Sequence, residues 1–549
     1  MTKHKNKVEQ TTPVLESKKI INNETPIGSL KLEHGDTMTV AVKDSEQLSK
    51  EQMEERIDTS EELQSGQKLL VKKSSDKVVL SHKSVLAALL NELKPINFHE
   101  RSGLSDGESI TKRHYIIITI EEILEVAINN YWSLCISDGQ VYVFNGAYWK
   151  QLSRQELLHF LGQASENLGV DIYDARYFSF RADLLKQFIS TAFLPKPERN
   201  GEEVLINLIN GTFVITPDDQ YLRAFDRRDF LTYQLPFAFS PGEDAPLFKK
   251  YLKRVLPDEA KEKILAEFIA YVFIRHKTLK LEKSLILYGG GANGKSVFFE
   301  IITALLGPEN ISSFSLQSLT NESGYQRAKI TNKLLNYASE ISPHMDSTIF
   351  KQLVSGEPVE ARLPYGEPFV LEDYAKLIFN TNELPRDVEQ NEAFFRRFII
   401  IHFEVTIPET ERDPELAQKI IESELPGVFN WILEGLHRLL HQKKFTYSTA
   451  VDEMVNQYKV QSDSVQLFLQ DTGYAKDIIE EIPLKIMYNE YKVYCSESGY
   501  KSCSLRVFCD RMRGQGFEFN RKKFGFVVGA VKKGFLEATS TAPDTPMTD

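Results

Sequence analysis

Gly289, Gly290, Gly291, Ala292, Asn293, Gly294, Lys295 and Ser296 stand in one run that spells Gly-x-x-x-x-Gly-Lys-Ser. Glycines at this spacing let the backbone turn tightly and aim its N–H groups at an anion, and the start of a following helix adds a favourable dipole. A lysine directly after the last glycine brings positive charge to the same point, and the hydroxyl beside it can ligate a divalent cation. The chemistry is the binding of ATP with Mg²⁺: Lys295 on the β- and γ-phosphates, Ser296 on the metal, and Val297 at the junction of loop and helix.

Three positions downstream could act on the bound phosphates. Glu340 closes the apolar run Lys333–Glu340, where it can activate the attacking water and hold Mg²⁺ through solvent. Asn382 follows the apolar run Ala375–Phe379, where an amide can orient that water or touch the γ-phosphate. Arg396 and Arg397 sit among phenylalanines just before Ile399-Ile400-Ile401, a setting for an arginine finger offered to a neighbouring subunit. Adjacent side chains on a strand point to opposite faces, so only one of the pair reaches a given phosphate. Arg397 is the expected finger, with Arg396 either in an ordinary ion pair or in its place.

The elements that must position these residues are legible in outline. Leu285–Tyr288 is a short apolar strand ahead of the glycine loop, and the amphipathic run to Gly307 is the helix behind it. The runs at 333–340, 375–379 and 399–403 are further strands, and in open α/β sheets ligands sit outside the carboxyl ends of the strands. Upstream, Tyr115–Ile120 reads as a strand and Glu121–Asn129 as a helix. Asp138-Gly139 and Asn145-Gly146 then break three short strands as hairpin turns. Helices are expected at Arg154–Leu168 and Ala182–Phe193, strands within Ile206–Ile215 and Phe230–Phe239, and two helices within Pro246–Ile274. After helices around Pro426–Gln442, helical patterns at Leu484–Ser498 and Leu505–Gly514 precede a hairpin at Phe517–Gly529, with Arg521, Lys522 and Lys523 near its turn.

The chain has 549 residues, 42% of them hydrophobic, which gives room for three or four domains with real cores. Its net charge is −11, so nucleic acid must be met by local basic patches against the global field. One such patch is 501–533, with nine lysines and arginines against two acids. The four cysteines, Cys135, Cys495, Cys503 and Cys509, contain no Cys-x-x-Cys pair; structural zinc is not expected, and reduced thiols suit a cytoplasmic protein. The first residues carry no apolar signal-peptide core, and no run approaches a membrane span. Residues 1–110 are polar with short apolar islands and read as a tail.

Taken in order, these residues resemble the superfamily 3 helicases, in particular the phage/plasmid primase-helicase family that includes poxvirus and satellite-phage replication proteins. The resemblance covers 207–533: Asn207-Leu208-Ile209-Asn210-Gly211, the glycine loop, Leu334–Glu340, Leu377–Pro385 and Phe394–Phe403 match its motifs in sequence. It implies an α/β fold: an AAA+-like P-loop ATPase core at 281–445, an upstream α+β and helical collar domain at 111–280, a winged-helix-like DNA-binding domain at 446–536 and a polar tail at 537–549. It also implies that the stretch Val359–Val370 is a hairpin gripping DNA in the channel of a ring, with Arg362 and Tyr365 near its tip, and that Arg521, Lys522 and Lys523 form a wing on duplex DNA.

The function implied is that of an ATP-dependent, ring-forming DNA helicase, a hexamer, serving replication of a phage, plasmid or other mobile element. Two alternatives stay open: an initiator that uses ATP as a switch at an origin, and an ATPase that remodels protein. The sequence departs from the family in two places. Ser339 stands before Glu340 where many P-loop ATPases have a second acid, and no primase domain is apparent in 1–110.

Overall fold

The computed structural model describes residues 79–105, 107–137, 139–195, 203–339, 341, 345–364, 366–386, 388–523 and 525–532. They lie in the second of two compact units, residues 62–549.

Folding begins ahead of the boundary expected at 110. Val85, Leu89 and Leu93 recur at fours along the helix His82–Glu92 and its cap, and all three are buried with Ile120, Ile123 and Leu161. Ser81 caps that helix by accepting the Ser84 N–H at 3.2 Å. The helices Lys112–Asn129, Arg154–Asn167 and Phe178–Thr191 complete this upstream core, beside an antiparallel sheet of Ser133–Ser137, Gln140–Phe144 and Trp149–Leu152.

Tyr115–Ile120, expected as a strand, lies inside the Lys112–Asn129 helix. Its β-branched residues favour a strand locally, but burial of Ile120, Ile123 and Ala127 at helical spacing overrides that preference. The His114 imidazole, accepting the Thr111 N–H at 3.1 Å, fixes where the helix starts.

A second antiparallel sheet follows, of Val204–Leu208, Gly211–Ile215 and Gln220–Arg223. The expected strand Phe230–Phe239 does not form. Its chain runs beside Val204–Leu208 through isolated bonds, Leu235 N–H to Asn207 O at 2.8 Å and Ile209 N–H to Phe237 O at 3.1 Å, and Pro236 between them has no N–H to give. Helices Pro246–Val255 and Glu259–Tyr271 lead into the central sheet. The buried Glu424 carboxylate accepts the Leu247 and Phe248 N–H groups, both at 2.9 Å, and so ties the first of these helices to the start of the helix Leu425–Gln442.

The central sheet has five parallel strands, in spatial order Phe398–His402, Ser284–Tyr288, Lys376–Thr381, Leu335–Ala338 and Ile311–Ser312. Numbered by sequence, that order is fifth, first, fourth, third, second. Ser284–Tyr288 is paired on both edges, and Ser284 to Leu287 are buried on both faces of the sheet, which is why it reads as a continuous apolar run. The helix Thr449–Gln461 also belongs to this body, because Tyr458 is buried against Phe395 and Phe398. The C-terminal module accordingly starts near Asp463 and not at 446.

That module has helices Ser464–Asp471, Leu484–Glu497 and Leu505–Gly514 on a sheet ordered Tyr474–Pro483, Gly525–Lys532, Phe519–Lys522. The strand Tyr474–Pro483 has no counterpart in the sequence reading. A bulge between Lys476 and Glu481 breaks its alternation and turns Ile478 and Ile479 to solvent.

Candidate nucleotide site

The glycine loop leaves the sheet at its carboxyl edge, where the Gly289 N–H meets the Thr381 carbonyl at 3.2 Å. Two of its glycines are required by space. At Gly289, with φ 149°, a β-carbon would stand 2.5 Å from both the Asn293 amide and the Phe403 carbonyl; at Gly294, with φ 90°, it would meet Val255 and Tyr251 at 2.9 and 3.0 Å. The Tyr251 hydroxyl donates to the Gly294 carbonyl at 2.8 Å, and Asn293 donates to the Phe403 carbonyl at 3.3 Å. Gly290 and Gly291 face open space. The helix Lys295–Leu306 starts directly at the end of the loop, with Ser296 exposed, Val297 half-buried and Ala292 on the left-handed side at φ 57°.

Lys295 is 7% exposed, and its ammonium group donates to four neutral oxygens: Gly289 O at 2.6 Å, Gly290 O and Asn293 Oδ1 at 3.1 Å, and Asn382 Oδ1 at 3.3 Å. Burial without a carboxylate partner lowers its pKa from the ordinary lysine value. Asn382 reaches it from the end of the strand Lys376–Thr381, two positions from Asn380, which accepts the buried Tyr337 hydroxyl at 3.0 Å. Lys295 and Asn382, 87 residues apart, thus meet at one point. The strand Leu335–Ala338 ends on the same edge with Ser339 exposed, and Glu340 lies outside the described residues.

The two arginines sit at the opposite edge, where the Ser284 N–H bonds the Arg397 carbonyl at 2.8 Å. At about 3.3 Å per residue, the five-residue strand between places them roughly 16 Å from their own glycine loop. They also divide otherwise than expected. Arg397 is turned inward: its side chain is 9% exposed, donates to the Ser355 hydroxyl at 2.9 and 3.3 Å and to the Ala393 carbonyl, and lies 3.6 Å from Glu282. Arg396 is 51% exposed and pairs with Glu282 at 2.7 Å. Both precede the strand Phe398–His402, and Arg396 caps the short helix Glu392–Phe395, so the two-faced strand rule does not govern them. Burial alone would raise the Glu282 carboxyl, but Arg396 first, and then Lys280 and Arg397, hold it below the usual carboxylate value.

The sequence reading missed Tyr251, Phe403 and Glu282, which form this frame. Tyr251 lies 43 residues from the glycine it holds, and no local pattern marks it. A further unpredicted cluster ties the sheet to the linker ahead of it: Lys376 Nζ is 2.8 Å from His276 Nδ1 and 3.9 Å above the Tyr271 ring.

The hairpin forms as expected, from Val359–Arg362 and Pro368–Leu371. Arg362 is exposed and its Nε donates to the Gly366 carbonyl at 2.9 Å; Tyr365 lies outside the described residues. In the C-terminal module, Arg521 and Lys523 are exposed near the turn and Lys522 pairs with Glu481 at 3.0 Å. No helix among the described residues is long and apolar enough to cross a membrane.

Comparison with known proteins matches three family models: "D5 N terminal like" over residues 121–257, a family of unknown function (DUF5906) over 287–397, and "Poxvirus D5 protein-like" over 460–538. A protein of Acanthamoeba polyphaga mimivirus named as a helicase, L207/L206, is 23% identical over 272 residues, covering 46% of this chain and 27% of that relative. The chain therefore spans about a quarter of that relative's length. Among solved structures, an apo form of the NrS-1 C-terminal region is 13% identical with a TM-score of 0.43, covering 75% of this chain and 98% of that one. A second, of residues 305–718, is 12% identical with the same TM-score over the same shares.

Proposed function

We propose, from the premise that this chain belongs to the D5-type family of phage and viral helicases, that it is an ATP-driven DNA helicase whose subunits close into a ring. The observation that carries this is the meeting of Lys295 and Asn382. A lysine ammonium, drawn out of water and held only by neutral oxygens, is ready to exchange them for a phosphate, which as an anion binds it more strongly.

The residues present fit ATP with Mg²⁺. The loop is kept clear at Gly290 and Gly291, the helix Lys295–Leu306 offers its positive end, and Ser296 is open to take the metal with Glu340 through water. Bound Mg²⁺ would neutralise phosphate charge there. Lys295 orients the terminal phosphates, and Asn382, released from Lys295, turns its amide to the attacking water. Because Arg396 lies at the far edge of its own sheet, it serves the nucleotide of the next copy, and Arg397 acts behind it by holding Glu282 and the Glu392–Phe395 turn in place.

The sheet order, with Ser284–Tyr288 between Phe398–His402 and Lys376–Thr381, supports an AAA+-like core, and three helices on a three-stranded sheet ending in a basic hairpin support a winged helix. The exposed cations of that module also favour a second reading, an ATP-switched initiator binding duplex DNA. Unwinding of a forked substrate separates the two: strand separation that depends on hydrolysis supports the helicase, and tight duplex binding without it supports the initiator. Hydrolysis indifferent to any nucleic acid would contradict both.

A further inference from the structure

We propose that His437 and His441 chelate a divalent transition-metal ion of the zinc class, which clips the last turn of the helix Leu425–Gln442. The two stand four positions apart and so share one face of that helix, and no other two of the chain's eleven histidines have this spacing. Their Nε2 atoms lie 3.2 Å apart, with the ring centroids 4.4 Å apart. Two imidazole nitrogens on one ion, each about 2.0–2.1 Å from it and at an angle of about 90–109°, stand roughly 2.9–3.4 Å from each other. The pair is therefore at chelating separation before any ion arrives. Without metal, one Nε2 donates a proton to the lone pair of the other; with metal, that proton moves to Nδ1 of its own ring and both lone pairs turn to the ion. Imidazole nitrogen suits Zn²⁺, Ni²⁺ and Cu²⁺, whereas Mg²⁺ and Ca²⁺ take oxygen.

The backbone under the pair is already fixed. Leu436, Leu439 and Leu440 are buried, and a β-carbon on Gly435 would stand 2.7 Å from the Ala266 backbone, so the helix is pressed against Glu259–Tyr271. Arg438, next to His437, donates to the fully buried Glu267 at 3.2 Å, and the Thr446 N–H donates to the same carboxylate at 2.7 Å. The Lys443 N–H closes the helix end on the Leu439 carbonyl at 3.0 Å. Chelation here costs little further ordering. His437 is half-buried, and burial, then the charge of His441, lowers its pKa from the ordinary value, which favours the neutral ring a metal needs. His441 is exposed and leaves the ion a way in from solvent. Among the described residues no group of three metal-ligating side chains gathers, so water fills the remaining positions and the site is exchangeable, unlike a closed structural zinc site. Arg438 stands where a His-Glu-x-x-His helix carries its glutamate base, so the pair binds metal without hydrolytic chemistry.

The test is calorimetric titration of the full chain with Zn²⁺ and with Ni²⁺, free of any affinity tag, with thiols kept reduced by a non-chelating phosphine and no nucleotide present. The variants are His437→Gln and His441→Gln, and their unfolding midpoints without metal check that each folds. The wild type is expected to take up one ion in a step that each variant weakens by about tenfold or more, because either substitution leaves a single ligand. An excess of Mg²⁺ of about 100-fold should leave that step unchanged. The same ion should raise the unfolding midpoint of the wild type more than that of either variant. Affinity within about twofold of wild type in either variant overturns the inference, since the two rings then do not act together. Displacement of the ion by Mg²⁺, or an equal rise in midpoint in all three proteins, overturns it as well.

Discussion

At the carboxyl edge of the central sheet, Lys295 is held by three backbone or side-chain oxygens of its own loop and by the Asn382 amide, all neutral. At the amino edge, Arg397 is held by a buried hydroxyl, a carbonyl and the Glu282 carboxylate. Both cations are buried, yet they are built for opposite ends. Neutral acceptors are easily surrendered to an anionic ligand, whereas an inward hydroxyl and an ion pair hold a side chain in one place. Under the proposed function this difference separates a cation that exchanges its partners for a ligand from one that supports the fold, and of the two arginines it is Arg396, half-exposed, that can meet a neighbour.

The comparison can be broken by substitution, beginning where the effect is greatest. Lys295→Ala should lower ATP hydrolysis by about 10³-fold or more and weaken nucleotide binding while the unfolding midpoint stays put. Arg396→Ala should lower turnover by about 10³-fold and leave nucleotide affinity within about twofold, because a finger acts in the transition state; steady-state hydrolysis and nucleotide titration check the split. Arg397→Ala should instead destabilise the fold by about 2–3 kcal/mol, read from denaturant unfolding, since it strands a buried hydroxyl and carbonyl. If Arg397→Ala behaved as the turnover variant and Arg396→Ala as the fold variant, the two arginines would have been assigned the wrong way round. Asn382→Ala should cost about 30-fold in hydrolysis with little change in stability.

The smallest effect concerns pH and the amino edge alone. Burial, and then the charge of Lys376 beside it, hold the His276 imidazole down to about 2 from its ordinary value of 6.5. The unfolded chain therefore takes up a proton below pH 6.5 that the folded chain refuses. Stability should fall as pH drops from about 6.5, by up to about 1.4 kcal/mol per pH unit from this group. His276→Gln should flatten that fall, and unfolding free energies measured between about pH 7 and 5 in both proteins would reveal it.

Four of the five strands of the central sheet could be read from sequence because each is a short apolar run, whereas Ile311–Ser312, two residues long, offers no such run; the glycine loop stands between strand and helix as its spacing predicts. Asn382 could be named as a candidate because it follows an apolar run, and the structure sets its Oδ1 3.3 Å from Lys295 Nζ. Which arginine is turned inward was not legible, because that depends on Ser355 and Glu282, which reach Arg397 from 42 and 115 residues away in sequence. The Tyr115–Ile120 segment and the folded stretch from 79 to 110 misled for a related reason. Their β-branched or sparse apolar residues acquire meaning only from the helices they pack against.

The central claim is that one copy's Lys295 and the next copy's Arg396 serve the same nucleotide, and mixing two inactive variants tests it most directly. A Lys295→Ala subunit still offers Arg396, and an Arg396→Ala subunit still offers Lys295, so mixed assemblies contain some complete seams. The account predicts that combining the two purified variants restores ATP hydrolysis to a substantial fraction of the wild-type rate. A mixture no more active than either variant alone, under conditions where the subunits demonstrably exchange, would contradict it.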